Sequence, residues 1–150
     1  MLLAAAAQAA ELKIVSKHFE TDERKGVTQF EGNVRISMGA DELNASKVMV
    51  YVDANRKPKR FVATGNVAFR VTTETADVYS GRAQEVQFLP AEKEYRFYRD
   101  VHLKQLNKPK EINGDEVIVE LAEGRAFAKG GERTPVMMIF KLDDANASHD

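Results

Sequence analysis

Hydrophobic residues recur at every second position through most of this chain. Val34, Ile36 and Met38 alternate with Arg35 and Ser37, and Val67, Phe69 and Val71 alternate with Ala68, Arg70 and Thr72. Further runs carry Val48, Val50 and Val52, then Val86 and Phe88, then Val117, Val119 and Leu121. Successive side chains of a strand point to opposite faces, so this spacing gives one apolar and one mostly polar face. No stretch carries a helical stripe. Turn-forming residues break the runs at Met38-Gly39-Ala40-Asp41, Thr72-Thr73-Glu74 and Asn107-Lys108-Pro109-Lys110, and again at Asp53-Ala54-Asn55-Arg56-Lys57-Pro58, Leu89-Pro90-Ala91-Glu92 and Ala122-Glu123-Gly124. Short strands, Arg60-Phe61-Val62-Ala63 and Glu94-Tyr95-Arg96-Phe97-Tyr98, then lead into the next run. Half-buried strands at close, regular spacing predict an all-β sandwich, roll or barrel.

The pattern repeats. Glu31-Gly32-Asn33-Val34-Arg35-Ile36 is echoed by Thr64-Gly65-Asn66-Val67-Ala68-Phe69 and by Arg99-Asp100-Val101-His102-Leu103, at offsets of 33 and 34 residues. Leu43-Asn44-Ala45-Ser46-Lys47-Val48-Met49-Val50 returns as Ile112-Asn113-Gly114-Asp115-Glu116-Val117-Ile118-Val119, while the middle unit is looser around Tyr79-Ser80-Gly81 and Gln84-Glu85-Val86. A fixed period marks a stacked array of like units. Gly and Asn tolerate positive φ, so Gly32-Asn33, Gly65-Asn66 and Asn113-Gly114 read as corners where a sheet turns or bulges.

Composition narrows the chemistry. At 150 residues, 43% hydrophobic and 30% charged, the chain can bury one core, and nothing inside it marks a linker. A net charge of −1 with dispersed Lys and Arg offers no field to draw nucleic acid. With no Cys there are no disulfides or thiolate metal sites. His18, His102 and His149 lie far apart, and no nucleophile elbow or phosphate loop is present, so the expectation is no catalytic residue, no metal and no cofactor. The acidic pairs Asp22 and Glu23, Asp41 and Glu42, and Asp115 and Glu116 read as solvated turns or strand starts. Arg56, Lys57, Lys59 and Arg60 form the densest positive cluster, read as a solvated hairpin tip, with an anionic headgroup or a partner's acidic edge as the alternative. Residues 1–10 are an apolar run containing Ala7-Gln8-Ala9, the small-x-small pattern of a secretory cleavage site without its basic leader, and read as a signal-peptide remnant. Residues 11–142 form the expected domain, and the small, polar stretch 143–150 reads as a disordered tail.

The residues that carry the repeat also carry a resemblance. Phe30-Glu31-Gly32-Asn33-Val34, Asn44-Ala45-Ser46-Lys47-Val48, Gly65-Asn66-Val67 and Asn113-Gly114-Asp115-Glu116-Val117, with the opening Lys13-Ile14-Val15-Ser16-Lys17 and the closing Gly130-Gly131-Glu132-Arg133-Thr134-Pro135-Val136, resemble the OstA-like family of lipopolysaccharide transport proteins over roughly residues 12–140. Arg99-Asp100 departs from the family's usual Gly-Asn, and the middle unit lacks a clean Ala-Asp or Gly-Asp step. The resemblance implies a twisted β-jellyroll of stacked antiparallel strands, open at both ends. It also implies a periplasmic protein, not an enzyme, that carries the lipid A acyl chains of lipopolysaccharide in an apolar groove between the inner and outer membranes. Its implied partners are lipopolysaccharide, an inner-membrane anchor of the LptC type, an outer-membrane translocon of the LptD type, and its own copies joined head to tail. Of the family's types, the soluble bridge is expected rather than an LptC- or LptD-type domain.

On that reading the groove is lined by Val34, Ile36, Met38, Val67, Phe69, Val71, Val101, Leu103, Val117 and Val119, with Arg35, Arg70 and Lys104 outside or at the rim. The partner edges lie at residues 12–18, with Ile14 and Ser16, and at 136–141, with Met138 and Phe140. From the residues alone, the same apolar face can instead close into a dry core. The rival functions are a β-sandwich binding polysaccharide or protein through surface aromatics such as Tyr51, Tyr95 and Tyr98, and a hydrolase with carboxylates in the groove; neither has a motif behind it.

Overall fold

The computed structural model describes residues 11–132 and 135–142. The expected leader remnant at 1–10, the tail at 143–150 with its His149, and Arg133 and Thr134 of the closing turn lie outside the described residues. Ten antiparallel strands make one sheet: β1 (Leu12–Val15), β2 (His18–Asp22), β3 (Val27–Met38), β4 (Asp41–Val52), β5 (Pro58–Thr72), β6 (Val78–Leu89), β7 (Glu94–Gln105), β8 (Lys110–Glu120), β9 (Arg125–Lys129) and β10 (Met137–Phe140). Strands β3 to β8 pair in sequence order, as hairpins must when their loops are short. Each flank carries two short strands. β1 and β2 divide the outer side of β3, and β9 and β10 divide that of β8.

All six long strands bend near their midpoints, and the repeated motif is the bend. Glu31 pairs with Lys47 but Val34 with Ala45, so two residues of β3 oppose one of β4. The same step recurs between Thr64 and Val67 of β5 and between Tyr98 and Val101 of β7. The extra residues are all left-handed: φ is +88° and +46° at Gly32 and Asn33, +88° and +46° at Gly65 and Asn66, and +66° and +55° at Arg99 and Asp100. Such a bulge adds twist and turns the strand. Glycine is required at two of them by space as well, since a Cβ would lie 2.8 Å from Lys17 Cβ at Gly32 and 2.6 Å from Ser46 Cβ at Gly65. The third corner is Arg99-Asp100 and not Asn113-Gly114, as read from the sequence. Gly114 takes no positive φ; it sits on the strand without the extra residue, opposite Val101.

The corners fold the sheet onto itself as two facing leaves. One leaf holds β2, β9 and the halves of the long strands that include Val48, Phe61, Val86, Phe97 and Val117. The other holds β1, β10 and the halves with Val34, Leu43, Val67, Val101 and Ile112. The inward positions follow from the bulges. On β3, β5 and β7 the inward side chains step by four across the corner, Phe30 to Val34, Ala63 to Val67 and Phe97 to Val101, whereas on β4, β6 and β8 they step by three, Ala45 to Val48, Ala83 to Val86 and Gly114 to Val117. These residues form the core between the leaves. The short strands expected at 60–63 and 94–98 are therefore the first halves of β5 and β7, running through the corner without a break.

Candidate functional site

Along the strands the interior is apolar, and the buried polar side chains among the described residues, Thr73, Asp77 and Gln105, gather at the tip of one leaf. Of the ten residues assigned to the groove, Val34, Val67, Phe69, Val71, Val101, Leu103, Val117 and Val119 face inward and are buried, four of them with no exposed surface at all. Arg35, Arg70 and Lys104 alternate with them on the outside. Ile36 and Met38 are only half buried, because they line a mouth between the leaf tips together with Leu12, Leu43, Phe61 and Phe88. From that mouth a column of rings runs inward: Phe61 and Phe88 lie 5.8 Å apart, Phe88 and Tyr95 4.6 Å, Tyr95 and Phe97 6.1 Å, and Phe97 and Phe69 4.3 Å between centroids. Phe97 belongs to one leaf and Phe69 to the other, so the column joins them. The space inside the mouth is about 40 Å³, against roughly 300–1,000 Å³ for a small-molecule pocket. The inner face is thus an apolar lining that side chains fill.

Polar groups close the slit between the leaf tips. Asp41, at the start of β4, accepts hydrogen bonds from the Thr72 backbone N–H at 2.9 Å and, across the slit, from the Tyr95 hydroxyl at 3.0 Å. Burial pushes the Asp41 carboxyl above its usual range despite those two donors. Burial and the neighbouring Asp41 charge push the Tyr95 phenol far above its own. Farther along, the loop at residues 73–77 reaches over to the opposite leaf. Its Glu74 N–H bonds the Leu121 carbonyl at 2.8 Å, and the Glu74 carboxylate pairs with Lys93 at 3.1 Å. The loop is held from within by Asp77, which accepts from Thr75 Oγ1 and Gln105 Nε2, both at 3.1 Å, and pairs with Lys108 at 3.3 Å. Burial acts to raise the Asp77 carboxyl, but the Thr75 and Lys108 hydrogen bonds and the Lys108 charge outweigh it and hold it low.

Two of these groups differ from their sequence reading. Asp41 is not a solvated turn residue, and Tyr95 is not a surface aromatic but 5% exposed on the inner face. The parity of β7, with Phe97, Val101 and Leu103 on the same side, carried the signal for Tyr95. Nothing local marked the contact with Asp41, which spans 54 residues. Tyr51 and Tyr98 are half buried, and Tyr51 lies under Arg60 of the basic cluster at 4.5 Å.

The flanks keep free strand edges: the outer sides of β1, β2, β9 and β10 pair with no strand among the described residues. Ile14 lies within β1 and Met138 and Phe140 within β10, whereas Ser16 falls in the break between β1 and β2, its hydroxyl bonded to the His18 carbonyl. Both flanks expose hydrophobes, Val15 and Phe19 on one and Met137, Met138, Phe140 and Phe127 on the other. β9 completes the second edge and was not foreseen from the sequence. Among the described residues no His, Asp and Glu cluster could hold a metal, and no helix is long and apolar enough to cross a membrane.

A single bent sheet with an apolar inner face and two free flanks defines the protein as a twisted β-jellyroll. The sequence model of the LptA/(LptD N-terminal domain) LPS transport protein family matches residues 13–125. The chain belongs to that family. Among solved structures it is similar to LptH, the LptA homologous periplasmic component of the conserved lipopolysaccharide transport device from Pseudomonas aeruginosa. That likeness has a TM-score of 0.77 at 14% identity, covering 88% of this chain and 96% of that one. At such identity the likeness concerns the fold. No curated protein matches the chain.

Proposed function

We propose that this chain carries lipopolysaccharide across the periplasm, holding its acyl chains between the two leaves and passing them along stacked strands. The observation that supports this is the apolar cluster that runs across β3 to β8 and comes to the surface at the mouth formed by Leu12, Ile36, Met38 and Phe61. Each buried methylene is worth about 0.8 kcal/mol, so an acyl chain of ordinary length gains enough to replace the contacts the leaves now make with each other. Like layers give like binding energies, which suits a ligand that must move on. The chains must part the leaves to enter, because the closed interior has no room for them.

The same reading makes β1, β2, β9 and β10 the surfaces for a neighbour added by strand pairing: a second copy head to tail, an inner-membrane anchor of the LptC type or an outer-membrane translocon of the LptD type. Photo-crosslinking amino acids at Ile36, Phe69 and Leu103 should capture lipopolysaccharide in intact cells. Capture confined to Arg35 and Arg70 would refute the interior site.

A further inference from the structure

We propose that the hydrogen bond from Tyr95 to Asp41 is the latch of a lateral entrance, and that acyl chains come in through the mouth beside it while the loop at 73–77 stays closed. The proposal rests on the lipid-carrying reading and assigns the place and the polar contact at which the leaves separate. Three polar contacts cross the slit among the described residues. Two belong to the loop at 73–77, which meets Leu121 and Lys93, and the loop is pressed close enough that a Cβ at Gly124 would lie 2.0 Å from Thr75 Oγ1. The third is the Tyr95 hydroxyl on Asp41 Oδ2. Beyond it, toward β1, no hydrogen bond or ion pair among the described residues joins the leaves, and the apolar mouth begins.

The pair is built so that its two halves part cleanly. Asp41 stays anchored to its own leaf by the Thr72 N–H, and the Tyr95 ring stays stacked on Phe88, also of its own leaf. Opening at this point breaks one polar contact. Everything else that separates is apolar, and an acyl chain can replace it with contacts of the same kind. At the 73–77 end, opening would instead break a backbone hydrogen bond and an ion pair and pull on the buried network of Asp77 and Gln105, for which an acyl chain offers no substitute.

The chain has no Cys, so two introduced at Ala40 and Glu92, exposed positions at the tips of opposite leaves, report on the slit without interference. With spin labels there, Tyr95→Phe should lengthen and broaden the distance distribution. Its association with purified lipopolysaccharide should be about three- to tenfold faster than wild type, the factor that one net hydrogen bond carries. Asp41→Ala removes the acceptor from the other side of the same bond, so it should lengthen the distances and speed association in the same direction as Tyr95→Phe. Joining the two cysteines with a short bis-maleimide should abolish uptake, a test that needs no change at Tyr95. Wild-type uptake with neither a faster Tyr95→Phe nor any effect of the crosslink would overturn the latch and leave the lipid reading standing. Absence of uptake by wild type would overturn the lipid reading itself, and the latch with it.

Discussion

Asp41 and Asp77 sit at the same slit and titrate in opposite senses. Burial raises Asp41, so the folded chain holds that proton more tightly than the unfolded one. Its contribution to stability is whole below the ordinary carboxylate value and disappears as pH rises through the folded value. Asp77 is held low, so its contribution is present above the ordinary value and is lost as pH falls through the folded one. Urea unfolding between about pH 3 and about pH 7 should therefore separate the variants. Asp77→Asn should cost about 1–3 kcal/mol near neutrality, the scale for a buried group left unsatisfied, and less in acid, while Asp41→Asn should be best tolerated near neutrality. Parallel curves for the two would contradict the assignment. At this scale the sequence was only partly legible. Alternation placed Val34, Phe69 and Leu103 on the inner face correctly, because a strand's parity is local. It could not place Asp41 against Tyr95, since that contact depends on which strand halves face each other across the fold.

At the scale of the strand, the corner decides the architecture. Two left-handed residues in succession are uncommon outside glycine, which is why Gly32-Asn33 and Gly65-Asn66 were visible in the sequence. Arg99-Asp100 takes the same backbone without glycine and was recognisable only by its distance from the other two. Asn113-Gly114 misled because it has the composition of a corner on a strand that needs no extra residue. Gly65→Val should therefore be more damaging than a surface substitution: φ is +88° and the new Cβ meets Ser46 at 2.6 Å, so a loss of about 2–4 kcal/mol is expected from backbone strain and overlap together. Thermal unfolding measures it, and a loss within about 0.5 kcal/mol would mean that the corner relaxes freely. The flanking strands were less legible than the corners. The break at Ser16 and Lys17 carries no turn chemistry, yet it separates β1 from β2 because the Lys17 N–H follows β3 around its corner, reaching the Gly32 carbonyl at 3.0 Å. The five residues of β9 are too few for alternation to stand out.

For the molecule as a whole, the sheet that folds on itself ends in two flanks that pair with no further strand among the described residues, and the proposal that neighbours add there has a direct test. Proline removes a ladder donor, so Ile14→Pro and Met138→Pro should each weaken self-association about fivefold, the equivalent of one net hydrogen bond of about 1 kcal/mol. Light scattering at matched concentrations reads this, with circular dichroism to confirm that the sheet persists. Association unchanged in both variants would exclude these edges as contact surfaces. The all-β class, the repeat and the position of the flanks near residues 12–18 and 136–141 could be read from the chain. That the two leaves close tightly upon each other could not, because alternation separates inside from outside and says nothing of how far apart two inner faces stand.

The four-residue and three-residue steps across the corners have a consequence for growth by duplication. Any adjacent pair of strands, one of each kind, is a complete module: it enters and leaves the stack with its inward side chains in phase, whatever its neighbours. Adding or deleting one such module of about 33 residues would change the length of the body by roughly 10 Å, two strand spacings, and leave its cross-section unaltered. Length and cross-section are therefore independent variables in this architecture, and a lineage can lengthen or shorten the body without repacking its interior.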